Sequence, residues 1–240
     1  MPQPPGPRHD QLRQLEQVAS GCTRCRLAET RTQVVFGTGN PDAGLMLVGE
    51  APGANEDLQG EPFVGRSGQL LNRMLETVGL TRDEVYVANS VKCRPPDNRD
   101  PKRDEIAACS GYLAEQVRLV DPKVVLTLGN FAAKTLLQTK TGITSLRGQT
   151  YEFQGRTLVP TFHPAAALRF GRAQMQGLED DFRTAAQLLR ELERPADPAP
   201  AGPPSVPVPH ADVTDHEVLV DDQVVVDLTD PTTAAPRGER

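Results

Sequence analysis

Four short runs of apolar residues, Leu45–Val48, Val85–Ala88, Val124–Leu128 and Leu158–Phe162, punctuate the middle of the chain. None of them alternates regularly with polar residues, and such mostly apolar runs predict strands buried on both faces. Between them the apolar spacing becomes helical. Leu12, Leu15 and Val18 mark an amphipathic helix over Gln11–Ser20, ended by Gly21. Leu70, Leu71, Met74, Leu75 and Val78 share one face of a helix over Ser67–Val78. Further helices are predicted over Arg103–Leu119, just past Pro101, over Phe131–Leu137, and from about Gln174 to Glu193, stopped by Pro195. Tyr151–Phe153 and Arg156–Leu158 flank Gln154-Gly155, a hairpin signal.

Strands that alternate with helices predict an α/β fold, a parallel sheet covered on both faces. Ligands of such sheets bind beyond the carboxyl ends of the strands. The stretches to search for chemistry are therefore Gly49–Asp57, Asn89–Arg99, Gly129–Asn130 and His163–Arg169.

Composition trims the ends. Of the 22 prolines in 240 residues, four fall in residues 1–10 and nine in 194–240. Residues 194–240 also hold three Arg against nine Asp and Glu, so the net charge of −6 belongs to this stretch and the body is neutral. The expected organisation is a disordered tail over 1–10, a folded domain over 11–193, and a disordered Pro-rich acidic tail over 194–240. Within the last, Val218–Leu228 reads either as chance hydrophobics or as a motif that docks on a protein partner by adding a strand. An acidic chain with a neutral body does not exclude a nucleic-acid partner, because a local basic patch suffices. No apolar run approaches the ~18 residues of a membrane span. Met1–Asp10 lacks the apolar core of an export signal, so an intracellular protein with reduced thiols and no membrane partner is expected.

Those thiols form a pattern. Cys22 and Cys25 make C-x-x-C after the first helix, Cys93 follows the second strand, and Cys109 lies in the next helix. Two intervening residues let a tight turn aim both sulfurs at one centre. A closed shell of four thiolates suits a tetrahedral zinc or an iron–sulfur cubane, and spacing alone does not choose between them. Arg24, Arg26, Arg94 and Arg99 crowd these positions, where they read as charge compensation, as phosphate contacts or equally as ordinary solvated surface charge.

The strand exits carry further candidates. Gly49-Glu50-Ala51-Pro52-Gly53 allows close approach of backbone to a ligand, and the carboxylates of Glu50, Glu56 and Asp57 read equally as an exposed acidic turn. Phe63 sits in a Gly-rich loop rather than on a helix face, which favours stacking. The Asn89 amide offers adjacent donor and acceptor atoms suited to a base edge. His163 ends the fourth strand before Pro164.

Together GEAPGANED, PFVGRSGQLL, VYVANSVKCRPPDNR and FHPAAALR, with the four cysteines, resemble family 4 uracil-DNA glycosylases over about residues 11–192. The resemblance implies a three-layer α/β/α sandwich around a four-stranded parallel sheet. It implies a structural [4Fe-4S] cluster on Cys22, Cys25, Cys93 and Cys109, and a monomer that acts on uracil-containing DNA in the bacterial nucleoid. It further implies that His163 donates to uracil O2, that Glu50 positions water or supports a sugar cation, and that Asn89 reads O4 and N3–H. Phe63 would stack on the ring, the Ala51 N–H would reach O2, and Glu56 would lie near C5. Arg66, Arg94, Arg99, Lys102 and Arg169 would meet phosphates, with Leu168 as a wedge. Ala54-Asn55 replaces two acids common in the family, and a His-containing insertion of a related, covalently trapped group is absent from CRPPDNRDPKRDE. The alternative is a non-catalytic, metal-stabilised nucleic-acid-binding module of the same fold.

Overall fold

A computed structural model of the chain describes residues 6–194; residues 1–5 and 195–240, with the Val218–Leu228 island and the acidic tail, lie outside the described residues. Six strands, β1 (Thr38–Gly39), β2 (Leu45–Gly49), β3 (Tyr86–Asn89), β4 (Val124–Leu128), β5 (Tyr151–Phe153) and β6 (Arg156–Thr161), form one sheet in the order β1-β3-β2-β4-β6-β5. The parallel centre, β3-β2-β4-β6, is built from the four strands that the apolar runs predict. Antiparallel β1 and β5 extend the sheet to six strands instead of four. Two-residue β1 is too short to leave a pattern in sequence. The hairpin strand and the fourth apolar run turn out to be one strand, β6. Beyond its pairing with β5, β6 is an edge strand, where Pro160 and its missing N–H are tolerated.

The eight helices are α1 (Pro7–Ser20), α2 (Ala54–Gln59), α3 (Arg66–Thr77), α4 (Arg103–Val120), α5 (Asn130–Leu137), α6 (Ile143–Leu146), α7 (Pro164–Phe170) and α8 (Arg172–Glu193). Helix α1 starts at Pro7, so the expected tail over 1–10 is helical from that point. Proline at the first helical position has its φ preset and lacks an N–H that would go unpaired there anyway. His9 Nε2 pairs with Asp42 at 2.8 Å and fastens this first turn.

Strand alternation divides the core. Leu45, Leu47, Val87, Val124 and Leu126 pack with Leu71, Leu75, Phe182 and Ala185 of α3 and α8. Met46, Val48, Ala88 and Val125 pack with Leu12 of α1, Tyr112, Leu113 and Val117 of α4, and Ala132 of α5. The central strands thus bury both faces, which is why their sequences are mostly apolar, with Thr127 and Asn89 among the few polar residues in them. The result is a helix–sheet–helix sandwich. The chain leaves β2 for β3 on one side and later builds β4 and β6 on the other, so the order reverses at β2 and a crevice opens at the carboxyl ends.

Candidate active site

The exits of β2, β3 and β6 meet at that crevice in a cavity of about 340 Å³, a size suited to one small planar ligand. Glu50, Ala51, Glu56, Phe63, Asn89 and His163 all line it. The exits are tied to one another through the main chain: the Ser90 N–H donates to the Gly49 carbonyl at 2.9 Å and the Val91 N–H to that of Glu50 at 3.1 Å.

Asn89 closes β3 and is 2% exposed. Its Oδ1 is buried and has no hydrogen-bond partner among the described residues. A buried carbonyl left without a donor costs about 1–3 kcal/mol, so this acceptor suits a ligand that brings an N–H. Room for it depends on Gly49, where a Cβ would lie 2.4 Å from Asn89 Oδ1 and 2.7 Å from Phe63 Cζ. No other residue fits beneath both groups.

Phe63 holds φ at +58°, which is strained for an aromatic residue. Its loop is over-determined by its surroundings. Gly68, at the start of α3, packs so close that a Cβ there would stand 1.7 Å from the Phe63 carbonyl oxygen. Glu56 Oε1 accepts from the Val64 and Gly65 N–H groups at 3.0 and 3.3 Å, and Oε2 accepts from Gly53 at 3.1 Å. The Glu56 carboxylate therefore clamps the β2 exit to the Phe63 loop. Asp57 is 3% exposed and accepts the Thr32 N–H on both oxygens. The exposed acidic turn is thereby overturned, because two of its three carboxylates act as internal braces. The third, Glu50, faces the cavity, and burial raises its pKa to about 7, with the nearby Asp100 carboxylate a second cause. Asp100 escaped the sequence reading, since nothing in the spacing links it to Glu50.

His163 caps α7, and its Nδ1 accepts the Ala165 N–H at 3.1 Å. With Nδ1 used as an acceptor, a neutral ring carries its proton on Nε2 and can donate from there. The ring is only partly exposed, and burial pushes its pKa down to about 4, opposed by Glu56. Its centroid is 5.7 Å from that of Phe63, with the planes tilted by 30°. Gly129, at φ +99°, gives it space, since a Cβ there would stand 2.9 Å from that of His163. A flat ring held by Phe63 thus finds a neutral N–H donor and an amide at its edges, with a carboxyl group nearby.

The cysteines surround a second, smaller cavity: Cys22 and Cys25 beside the end of α1, Cys93 beyond β3 and Cys109 on α4. All four are free thiols. Among the described residues no three His, Cys, Asp or Glu side chains converge as around a single ion. A cubane does not require that, because each thiolate binds a different iron. Burial pushes the Cys93 thiol up to about 11 and also raises that of Cys109, so their thiolates need positive charge nearby. Arg31 donates to Cys93 Sγ at 3.3 Å and the Lys92 N–H to Cys109 Sγ at 3.2 Å. Four thiols with such donors fit a closed thiolate shell.

The basic residues divide. Arg66 and Arg169 are exposed and border, with Leu168, an open groove of about 570 Å³ that shares Glu56 and Ser67 with the cavity. Lys102 is exposed at the start of α4. Arg94 donates to Asn98 at 2.8 Å. Arg99 is held by buried Glu105 through two bonds of 2.8 and 2.6 Å, so it braces the cavity's edge. No described helix is long and apolar enough to cross a membrane.

Comparison with known proteins adds to this geometry. The family model described as Uracil DNA glycosylase superfamily matches residues 36–190. The Type-4 uracil-DNA glycosylase of Sulfurisphaera tokodaii is 43% identical over 192 residues, 76% of this chain and 85% of the relative. That of Thermotoga maritima is 45% identical over 150 residues, 62% and 78% respectively. A Type-5 uracil-DNA glycosylase of Pyrobaculum aerophilum is 31% identical over 166 residues, 62% and 73%.

The depressed pKa of His163 makes a testable statement about charge. The unfolded chain binds a proton at this residue below about 6.5, whereas the folded chain resists until about 4, so stability is lost as pH falls between these values. In an NMR pH titration the His163 ring is expected to stay neutral well below 6.5. An inflection at the ordinary histidine value would contradict the assignment.

Proposed function

We infer that this chain, which belongs to the uracil DNA glycosylase superfamily and has type-4 enzymes as relatives, is a uracil-DNA glycosylase that excises uracil from DNA in base-excision repair. The observation that carries the residue-level reading is the partnerless Asn89 Oδ1, buried on the wall of the cavity that the neutral His163 also lines. Uracil presents N3–H beside O4, the complement of a carboxamide. Cytosine presents an acceptor and an amine there, and would leave the amide's buried groups unpaired, which is how such sites discriminate strongly.

A base stacked in a duplex cannot reach the cavity, so the nucleotide turns outward at a cost of a few kcal/mol. The groove beside Arg66, Leu168 and Arg169 takes the adjoining strand, and Lys102 and Arg94 meet phosphates of the same DNA. In the cavity, uracil lies against Phe63 with N3–H and O4 on Asn89. The N1–C1′ bond breaks with its electron pair on uracil, giving a uracil anion and a sugar cation. His163 Nε2–H donates to O2, where the negative charge collects, assisted by the Ala51 N–H. A neutral imidazole keeps its proton and acts by hydrogen bonding, so excision does not require the ring to be charged. Glu50, as the carboxylate, opposes the sugar cation, orients the water that adds to C1′ and takes the proton that water releases. The uracil anion leaves the site protonated from solvent. Burial, with Asp100 as a second cause, keeps part of Glu50 protonated near neutrality. Glu56 shapes the wall near C5 while bracing the Phe63 loop.

Cys22, Cys25, Cys93 and Cys109 would hold a [4Fe-4S] cluster. Bound, it would cross-link the α1 exit, the β3 exit and α4, and so fix the segment that begins with Asn89. The non-catalytic module is not favoured, since the relatives carry the names of enzymes.

Excision is read by incubating the protein with a labelled uracil-containing oligonucleotide and cleaving the abasic product with alkali. His163→Ala is expected to slow single-turnover excision by about 10²–10³-fold, the usual loss of one oxyanion donor. Retention of the full rate would remove His163 from the mechanism.

Glu50 gives the pH dependence its sign. With a pKa of about 7, its ionised fraction and the excision rate rise together as pH is raised through 7. Glu50→Gln is expected to be slower and flat over that range. A wild-type profile without this rise, or the same rise in the variant, would overturn the role of Glu50.

A further inference from the structure

Lys92 is the largest fully buried side chain among the described residues and is 1% exposed. A lysine in such a place carries a heavy desolvation cost, and an aliphatic residue of like volume would avoid it. Its partners indicate what it does there. Nζ donates to the backbone carbonyl of Asn89 at 2.8 Å and to the side-chain oxygen of Gln116. Gln116 in turn donates from Nε2 to the Phe36 carbonyl at 2.9 Å and to the Tyr86 hydroxyl oxygen at 3.2 Å. The Lys92 backbone is fixed as well, its carbonyl accepting the Val35 N–H at 2.8 Å. This chain of bonds runs from α4 and the segment before β1 to the last residue of β3. It ends on the main chain of Asn89, whose side-chain oxygen is buried without a partner among the described residues.

We propose that Lys92 is a positioning residue for base recognition: by holding the Asn89 carbonyl to Gln116, it sets the main-chain position from which the Asn89 carboxamide meets uracil. The proposal rests on the reading of Asn89 as the group that contacts the base. The Asn89 side chain makes no hydrogen bond among the described residues, so its placement comes from its backbone and from its close approach to Gly49. The Lys92 ammonium is the restraint on that backbone that comes from outside the sheet. A hydrogen bond to a charged group is worth more than a neutral one, which suits it to holding a strand end where the ladder stops.

A double-mutant cycle tests this. Single-turnover excision and equilibrium binding of free uracil are measured for wild type, Lys92→Met, Asn89→Ala and the double variant. Lys92→Met is expected to lower the excision rate and the affinity for free uracil together, by about 10- to 100-fold, the loss of one charge-assisted bond. In the Asn89→Ala background the same substitution is expected to cost nothing further. An equal loss in both backgrounds, with Asn89→Ala itself impaired, would show that Lys92 serves the fold at large and would overturn the proposal alone. If Asn89→Ala binds and excises uracil like wild type, the reading of Asn89 falls and the proposal falls with it. Should Lys92→Met not fold, Gln116→Met, which deprives the ammonium of its second partner, goes through the same cycle with the same opposing outcomes.

Discussion

The absence of a side chain at Gly49 is the constraint on which the site depends. At the end of β2 the Asn89 amide and the Phe63 ring both occupy space that any Cβ would claim. A ring that stacks and an amide that reads an edge can serve one ligand only if they stand this close. The rest of the local structure accommodates that approach. Gly68 packs on the Phe63 carbonyl, the Glu56 carboxylate gathers three N–H groups across the two loops, and Phe63 accepts a left-handed φ. Backbone strain of this kind, about 1–3 kcal/mol, persists only where the surroundings enforce it.

The same enclosure sets the protonation states. Burial disfavours charge, so His163 is neutral and Glu50 is poised near neutrality. For a reaction that separates an anionic base from a cationic sugar, these states are useful ones. A neutral donor can stabilise the anion by a hydrogen bond while keeping its proton, and a carboxylate can face the cation. The Ala165 N–H decides which imidazole nitrogen bears the proton, and it comes from α7, a helix started by the proline that follows His163. One local sequence, His163-Pro164-Ala165, thus fixes both the direction and the tautomer of the ring.

The layered fold was legible because its cause is local. Strands with two buried faces must be mostly apolar, and helices between them must show one apolar face, so the parallel centre and the edge that carries the site could be read directly. The pairing of Cys22 with Cys25 and the punctuation around Gly49, Phe63 and His163 are local too. The missed elements were short. Helix α7 carried a signal in Pro164 and the alanines after it, but α2 and β1 are too brief for periodicity. What sequence could not supply were partners distant along the chain. Glu56 on Val64, Asp57 on Thr32, Arg99 on Glu105, Asp100 beside Glu50 and Lys92 between Asn89 and Gln116 each join residues by chemistry that spacing does not encode. A charged residue reads as solvated surface until the fold shows what it touches.

Gly49→Ala tests the central claim most directly, with free-uracil affinity measured beside a thermal unfolding curve. A methyl group at this position is expected to leave a cooperatively folded protein that no longer binds uracil measurably, because Asn89 and Phe63 must separate to admit it. A variant that folds and binds uracil as tightly as the natural chain would contradict the account, since the close approach at the end of β2 would then not be what makes the site.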